Sequence, residues 1–455
     1  MVRLIFLIYW LLILEGALRK WGFPELKNLF FFIRIPIALV LYWLAISRKQ
    51  WPKAYWPLCS AYAFASIALS LIPFQVLLGG YDSRYLLIAG YGWINYFFYI
   101  PMAFIIMEQF EAGDLRRFIR HSFWMALASV PLVILQFESS PTDVINLGSG
   151  LDESTQFQNL GSAMGYVRPT GFFSSTLGQS DFVASIAALA LSAWLMPRRD
   201  RATGAFLFFF GMLAVLIMTA FSQSRTLFFM EGLILLSGVA AGIVSQRRQV
   251  IINSGVIPAV VLIMLFTLWP LFFQTTYEVF MERWIMAQEN EVSKFEFGVF
   301  GRAFREFYGF IDYLGDAPLV GYLLGIGGNA AWQLDWVVFP SSAYSWTGYG
   351  GWGEDAWSRH IIELGPLLGL MFIIYRIAVT VWLWLLAVRG TRDSGNPLPM
   401  LLFGFIGPLV LIAQFTGHGT VNGYAWIFTG LLLASVKICS QGYLKPRLKR
   451  NKVVE

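Results

Sequence analysis

The chain has 455 residues, of which 57% are hydrophobic and 13% are charged, and its mean hydropathy is +0.62. A soluble chain carries about twice that share of charged residues. Long apolar runs recur from end to end, so the composition excludes a soluble enzyme with one anchor and indicates an integral membrane protein.

The apolar runs predict an all-α polytopic membrane protein with about twelve transmembrane helices and a long helical loop on one side of the membrane. The first run follows a basic residue but is not followed by a small-residue cleavage site, so we interpret it as an uncleaved span rather than a signal peptide. In chain order the predicted spans are 3–18, 28–47, 54–78, 85–107, 118–137, 181–197, 204–221, 226–244, 250–273, 361–388, 398–415 and 423–443. Glu15 and Arg34 fall near the outer ends of the first two spans, and we expect them to neutralise one another.

Basic residues concentrate on one side of these spans, which explains the net charge of +6 without nucleic-acid binding. The positive-inside rule then predicts that both termini are cytoplasmic. Helices one to nine occupy 1–273, helices ten to twelve occupy 361–443, and a basic tail occupies 444–455. The connections that are rich in basic residues are 47–53, 114–120, 198–201, 246–249 and 389–392.

Two connections on the opposite side, 138–180 and 274–360, are too long to be simple links. Loops of this length in compact proteins are usually functional or disordered. The second holds eleven acidic and five basic residues, together with many aromatic residues and glycines. We expect it to form a folded cap of short helices on the outer leaflet.

Arg225 lies in the segment FSQSRTLFF, between two predicted spans. An arginine at the edge of the hydrocarbon is costly unless it has a partner. Ser222 and Ser224 beside it are hydroxyl donors that suit phosphate oxygens, which a guanidinium can bind in bidentate fashion. The alternative is an interfacial arginine that contacts lipid headgroups or pairs with Glu231.

Two further arginines are predicted on the same side of the membrane. Arg168 lies in YVRPTGFFSSTLGQSDF, and Arg302 lies in FGRAFREFYGF within the long loop. Either alone is typical of a surface arginine. Together with Arg225, however, they place three cations at one depth, where they repel one another unless an anion lies between them.

A polar cluster precedes the tenth predicted span, in the segment GEDAWSRHIIELG. Glu354, Asp355 and His360 are candidates for a general base that takes a proton from an incoming hydroxyl. Arg359 in the same segment and His418 in TGHGTVNG are candidate contacts to donor or acceptor. The alternative is a solvated helix start, where acidic residues are favoured.

No cofactor or metal is predicted. The glycine-rich GIGGN segment lacks the lysine and hydroxyl residue of a nucleotide-binding P-loop, and HExxH and CxxC motifs are absent from the sequence. Cys59 and Cys439 lie in separate apolar runs and are interpreted as free thiols.

Four segments in this order resemble the family of bacterial O-antigen polymerases and O-antigen ligases. They are RPTGFFSSTLGQSDF, SQSRTLFF, GRAFREFYGFIDYLGDAPLVGYLLGIGGN and EDAWSRHIIELGPLLGLMF, and the shared pattern covers roughly 165–430. The resemblance implies a metal-independent glycosyltransferase of the bacterial inner membrane, with its active site on the periplasmic face. The implied partners are a polyprenyl-diphosphate-linked oligosaccharide and an acceptor glycan. Whether a chain-length regulator also binds is left open.

The resemblance implies that Arg168, Arg225 and Arg302 bind the diphosphate of the donor. The family usually has His-Asn about nine residues before a Glu-x-Gly, whereas this chain has Glu354 and Asp355 there. That departure favours a polymerase over a ligase that moves glycan to lipid A core or to protein. An alternative from another class is a flippase or transporter of the same lipid-linked sugar.

Overall fold

A computed structural model describes residues 1–79, 85–146, 163–197, 201–295, 297–315, 355–414 and 419–440. Within these ranges the chain is helical and has no β-strand, only an isolated antiparallel bridge between Ala163 and Tyr166. The prediction of an all-helical chain is therefore confirmed. The tail 444–455 and the cap residues 316–354 lie outside the described ranges.

The N-terminal third forms seven α-helices. A π-helical segment, Leu18–Gly22, extends the first of them, and a second, Ile94–Phe98, separates the fifth from the sixth. These helices are α1 (Val2–Ala17), α2 (Lys27–Phe31), α3 (Arg34–Ser47), α4 (Trp56–Gly79), α5 (Tyr85–Trp93), α6 (Ile100–Gln109) and α7 (Ala112–Glu138).

The rest of the chain continues with long helices, interrupted by shorter ones in the cap. A 3-10 segment, Gly309–Tyr313, follows the cap helices. The helices are α8 (Thr176–Leu195), α9 (Ala205–Ser222), α10 (Arg225–Val244), α11 (Arg248–Ile263), α12 (Trp269–Phe272), α13 (Gln274–Val292), α14 (Gly298–Arg305), α15 (Ala356–Leu364), α16 (Pro366–Ser394), α17 (Leu398–Ile412) and α18 (Gly419–Ser440).

Seven helical stretches among the described residues are long and apolar enough to cross a bilayer. The other predicted spans correspond to helices that are shorter or less apolar, so the total of twelve stays a prediction. The predicted span 361–388 corresponds to two helices, because Gly365 with φ +84° and then Pro366 end α15 and start α16. The seven stretches are Trp56–Pro73, Ala112–Glu138, Ala205–Ser222, Arg225–Val244, Arg248–Phe272, Pro366–Ser394 and Gly419–Ser440.

The last helix, α18, is the centre of the bundle. It packs against α6, α8, α16 and α17, and 83% of its apolar window is buried, compared with 20% for Arg248–Phe272. The outer helices expose large apolar side chains, such as Phe209 at 62% and Leu236 at 65%. A helix that exposes its apolar face in this way is suited to lipid, and the chain is a membrane protein.

Glu15 and Arg34 form a buried ion pair between α1 and α3. Their Oε2 and Nε atoms lie 2.9 Å apart, and both side chains are less than a tenth exposed. Arg34 also donates to the Gly419 carbonyl at 2.9 Å, and Arg19 lies 3.5 Å from Glu15. The sequence-based expectation that Glu15 and Arg34 neutralise each other is confirmed.

The cap helices lie at the end of the bundle where α9 passes into α10. Gln223, in the turn between those helices, donates from Nε2 to the Thr276 carbonyl of α13 at 3.1 Å. Phe228 of α10 packs against Phe280 of α13, with ring centroids 4.6 Å apart. We call this the cap end of the bundle, and the sequence-predicted arginines lie there.

Candidate functional site

The loop that carries Arg168 is fixed by hydrogen bonds from two helical elements. Gln136 of α7 accepts from the Gly171 backbone N–H at 2.8 Å and donates to its carbonyl at 3.4 Å. Lys20, just after α1, donates from Nζ to Thr170 Oγ1 at 2.9 Å and to the Gly171 carbonyl at 3.2 Å. Gly171 has φ +56°, a conformation that glycine adopts without strain.

The same loop also lies directly on α1. A Cβ on Gly16 would fall 2.4 Å from the Phe173 carbonyl carbon and 2.5 Å from the Phe172 oxygen. Only a glycine allows the loop backbone to approach the helix so closely. The position of Arg168 is therefore set by residues from the first helical segment and from α7, which are far from it in sequence.

Arg168 is half-buried, and its Nε atom has no hydrogen-bond partner among the described residues. Burial, followed by the positive charges of Arg283 and Arg225, lowers the pKa of Arg168 to about 10. A guanidinium with that pKa is still fully charged at neutral pH. The structure thus brings Arg168 and Arg225 within electrostatic range of each other.

Arg225 is the first residue of α10, placed there by a tight turn. Gln223 adopts the left-handed conformation with φ 54°, and Ser224 caps α10 by accepting from the Leu227 N–H at 3.3 Å. Ser222 donates to the Thr219 carbonyl at 2.8 Å and accepts from the Ser224 N–H at 3.2 Å. In this arrangement both serine side chains hold the turn.

The alternative partner of Arg225, Glu231, has a different contact. Its Oε1 atom accepts from Thr219 Oγ1 at 2.6 Å, and no ion pair joins it to Arg225 within the described ranges. Instead, Arg225 lies within electrostatic range of Arg302 and Glu291. Arg302 of α14 pairs with Glu291 of α13 at 2.5 Å, and its side chain is 47% exposed.

Arg283 of α13 joins this group, although the sequence-based reasoning missed it. Burial and then the charge of Arg225 lower the pKa of Arg283. The available signal was that Arg283 is the only basic residue of α13, a helix that has four glutamates. Arg168, Arg225, Arg283 and Arg302 together are called the arginine cluster below.

An aromatic groove lies next to the arginine cluster. Phe229 lies one helical turn after Arg225, and its ring centroid is 6.2 Å from Trp284 and 6.0 Å from Phe300. Beside Phe300 is a cavity of about 530 Å³, lined by Gln288, Phe297, Phe300 and Phe304. Phe297 and Phe304 are 66% and 63% exposed. Cationic and apolar surfaces therefore adjoin at the cap end.

Two carboxyl groups lie at the start of α15. Asp355 is buried and caps the helix, accepting from Ser358 N at 2.7 Å and from Ser358 Oγ at 2.5 Å. Glu306, directly after α14, accepts from the Ala356 N–H at 3.4 Å. Burial and then the negative charge of Asp355 raise the pKa of Glu306 to about 7. Glu306 is a second residue that the sequence-based reasoning missed.

His360 of α15 lies in a buried chain of hydrogen bonds. Arg376 donates from Nη1 to His360 Nε2 at 2.6 Å, because a guanidinium has no acceptor. Burial and the charges of Arg376 and Arg359 lower the pKa of His360, so Nδ1 carries its one proton. That N–H donates to Tyr96 at 2.9 Å, and Tyr96 donates to Glu363 at 2.5 Å.

The chain of hydrogen bonds ends on the backbone of α17. Arg376 donates to the carbonyls of Val410 at 2.7 Å and Ala413 at 2.8 Å, at the end of that helix. Both ring nitrogens of His360 are thus occupied and the residue is 1% exposed. A role of His360 as general base stays a prediction, and it requires this chain of contacts to open.

The remaining predicted site residues are placed as follows. Arg359 is 9% exposed, and its charge acts on both Glu306 and His360. Glu354 and His418 lie outside the described residues. In the part of the chain that the structure describes, no group of three or more His, Cys, Asp or Glu residues lies together in a way that suits a metal ion.

The chain was compared with protein-family models, curated proteins and solved structures, and none of them matches it. The resemblance to the O-antigen polymerases and ligases therefore depends on the quoted motifs.

Proposed function

We propose that the protein is a membrane polysaccharide polymerase, for O-antigen or exopolysaccharide, that transfers glycan from a polyprenyl diphosphate carrier to an acceptor sugar hydroxyl. The single observation that carries this proposal is the arginine cluster beside the aromatic groove. Like charges repel, so bringing Arg168 and Arg225 together costs free energy that an anion would offset. A ligand that fits both surfaces has an anionic head and an apolar tail.

Polyprenyl diphosphate has that chemistry. Its phosphate oxygens suit guanidinium donors, which bind them through paired hydrogen bonds. Its isoprenoid chain suits the surface formed by Phe229, Phe300 and Phe304, which is exposed and apolar. In the reaction, the leaving diphosphate gains negative charge, and donors already in position stabilise that charge without reorganisation.

The proposal includes an orientation. Both termini are cytoplasmic, about twelve helices cross the bacterial inner membrane, and the cap faces the periplasm. One contact that supports this arrangement lies far from the arginine cluster. Arg247, from a basic connection, donates to the Ser394 carbonyl at 3.0 Å, where α10 and α16 end. Cytoplasmic placement of that end agrees with the positive-inside rule.

Binding of undecaprenyl diphosphate to the purified protein tests the donor assignment. Arg225→Ala should weaken binding by about 100-fold, because a hydrogen bond to a charged group contributes about 1.5–3 kcal/mol. Arg116→Ala is the control, because Arg116 is exposed on α7 outside the cap. Equal affinity of Arg225→Ala and wild type would refute the diphosphate assignment.

The polymerase and ligase alternatives differ in the glycan pattern of a strain that lacks the protein. Loss of a polymerase leaves single repeat units on the acceptor, whereas loss of a ligase leaves none. A gel of the cell-surface glycan separates these outcomes.

The transporter alternative has its own supporting observation. Asp181 of α8 is 4% exposed, and its Oδ2 atom has no hydrogen-bond partner among the described residues. Buried ionisable groups in membrane helices often mark ion or substrate pathways. Turnover of lipid-linked oligosaccharide by the detergent-solubilised protein, with no membrane present, would exclude transport as the main activity.

A further inference from the structure

The carboxyl groups at the start of α15 have unequal roles in the structure. Asp355 caps the N-terminus of α15, and its carboxylate accepts hydrogen bonds from both the backbone N–H and the hydroxyl of Ser358. Glu306 is half-buried, and its one hydrogen bond among the described residues is the 3.4 Å contact with the Ala356 N–H. Of the two carboxyl groups, Glu306 has the acceptor capacity to take a proton from a ligand.

Glu306 lies next to the arginine cluster. It follows α14, the helix that carries Arg302, and both Arg302 and Arg359 act on it electrostatically. Arg376 of α16 lies within electrostatic range as well, on the side of the buried histidine. Glu306 therefore lies between Arg302, which belongs to the arginine cluster, and Arg359 and Arg376, which lie toward the helix bundle.

The charges around Glu306 act in opposite directions. Burial and Asp355 disfavour its ionised form, while the Ala356 N–H, Arg302 and Arg359 favour it, and the balance raises the pKa of Glu306 to about 7. A general base is most effective when its pKa lies near the working pH. Arg305 is the neighbouring residue, but its guanidinium pairs with Asp312 at 3.1 Å.

We infer that Glu306 is the general base of glycan transfer and that Asp355 is a positioning residue, an inference that rests on the proposed function. The acceptor hydroxyl gives its proton to the Glu306 carboxylate while its oxygen bonds to the anomeric carbon of the donor. The bond from that carbon to the diphosphate oxygen breaks, and the electron pair leaves with polyprenyl diphosphate. The Glu306 carboxylic acid then releases the proton to water.

This assignment differs from the candidates taken from the sequence motif. In the structure, Asp355 has both oxygens engaged by Ser358, and His360 accepts from Arg376 and donates to Tyr96. Of the two described carboxyl groups at the start of α15, Glu306 is the one that can accept a proton without first breaking a short hydrogen bond.

The test uses Glu306→Gln, Glu306→Asp and, as a control, Glu289→Gln, which removes an exposed carboxyl from α13. The first measurement is the binding of undecaprenyl diphosphate, which should be the same in all variants and wild type. The second is the rate of glycan transfer against pH, with lipid-linked oligosaccharide extracted from a strain that lacks the protein. Glu306→Gln should lose about 100-fold in rate, the lower end of the range for general-base catalysis.

The dependence of the transfer rate on pH distinguishes a catalytic role of Glu306 from a structural one. Wild-type transfer should fall as the pH drops below about 7, because the carboxylate is protonated there. Glu306→Asp should keep this acidic limb at a lower rate, and Glu306→Gln should lose it. A Glu306→Gln protein with the wild-type rate and profile would overturn the assignment. If wild type neither binds undecaprenyl diphosphate nor transfers glycan, the proposed function itself fails.

Thermal unfolding in detergent gives a readout that does not depend on turnover. The raised pKa means that the folded protein is stabilised while Glu306 is protonated, and this stabilisation is lost as the pH rises through about 7. Glu306→Gln should therefore unfold at a higher temperature than wild type at pH 8 and at nearly the same temperature at pH 5. An equal difference at both pH values would contradict the inference.

Discussion

The arginine cluster and the Glu15 ion pair both contain arginines that are at least partly buried, but the charges around Arg168 and Arg34 differ in sign. Arg34 is buried against Glu15 at 2.9 Å and also reaches the Gly419 carbonyl. Among the described residues, the charged groups that act on Arg168 are two further cations, Arg283 and Arg225. The ion pair matches its cation with a carboxylate of the protein, whereas in the proposed function the anion of the arginine cluster comes from the ligand.

This difference in charge environment distinguishes arginines that stabilise the fold from arginines that bind a ligand. A buried pair contributes little net stability, but removal of one partner leaves an uncompensated charge in the interior. A cluster of like charges costs stability in the free protein and is retained where it binds a ligand. Substitutions in the two regions should therefore have opposite effects on folding and on binding.

The largest effect is expected at the ion pair. Glu15→Ala leaves Arg34 buried without its carboxylate, and should destabilise the fold by about 3–5 kcal/mol. Thermal unfolding of the detergent-solubilised protein measures this. Glu289→Ala is the control, since Glu289 is exposed, and should change stability by less than about 0.5 kcal/mol. Equal unfolding temperatures for both variants would show that the pair is not important for folding.

A substitution at Arg168 should lower ligand affinity and not stability. Arg168→Met keeps the length of the side chain but removes a charge that Arg283 and Arg225 repel, so stability should be unchanged or higher. Affinity for undecaprenyl diphosphate should fall by about 100-fold, or about 2.7 kcal/mol, because a charged hydrogen-bond donor is lost. Unfolding and binding are measured on one preparation, with Arg116→Met as the exposed control. A strong loss of stability would instead indicate a structural role for Arg168.

The support of the arginine loop is tested at Gly16. Gly16→Ala places a methyl group about 2.4 Å from the Phe173 backbone, so the loop must move, with a cost of about 1–3 kcal/mol. Affinity for undecaprenyl diphosphate should fall about tenfold, since Arg168 moves with the loop. Gly232→Ala in α10, where no atom lies within 4 Å of the new methyl group, should leave affinity unchanged. Equal affinities of the two alanine variants would contradict the idea that Gly16 positions the loop that carries Arg168.

The smallest effect is expected in the aromatic groove. Phe300→Ala removes a ring that is 51% exposed and lies 6.0 Å from Phe229. Affinity for undecaprenyl diphosphate should fall about tenfold, or about 1.4 kcal/mol, while affinity for inorganic diphosphate stays the same. Phe206→Ala, at an exposed ring elsewhere on the bundle, is the control. Equal losses for both ligands would show that the groove does not contact the isoprenoid chain.

The candidate site was only partly accessible from the sequence. The sequence placed Arg225 between two predicted spans, because apolar runs are local signals. That Ser222 and Ser224 hold the turn before Arg225 was seen only in the structure. Arg283 and Glu306 were missed because their significance depends on neighbours. Arg283 is close to Arg225, and Glu306 is close to Asp355, only after the chain has folded.

The sequence by itself determined the membrane class, the helical architecture and the locations of many helices, because hydropathy and periodicity are properties of short segments. It also predicted the pair of Glu15 and Arg34, which lie at the ends of neighbouring spans. Only the tertiary structure decided which cations adjoin, that both ring nitrogens of His360 are occupied, and that Glu306 lies beside Asp355. Charge–charge energies depend on distances between remote segments, and those distances are set by how the helices pack.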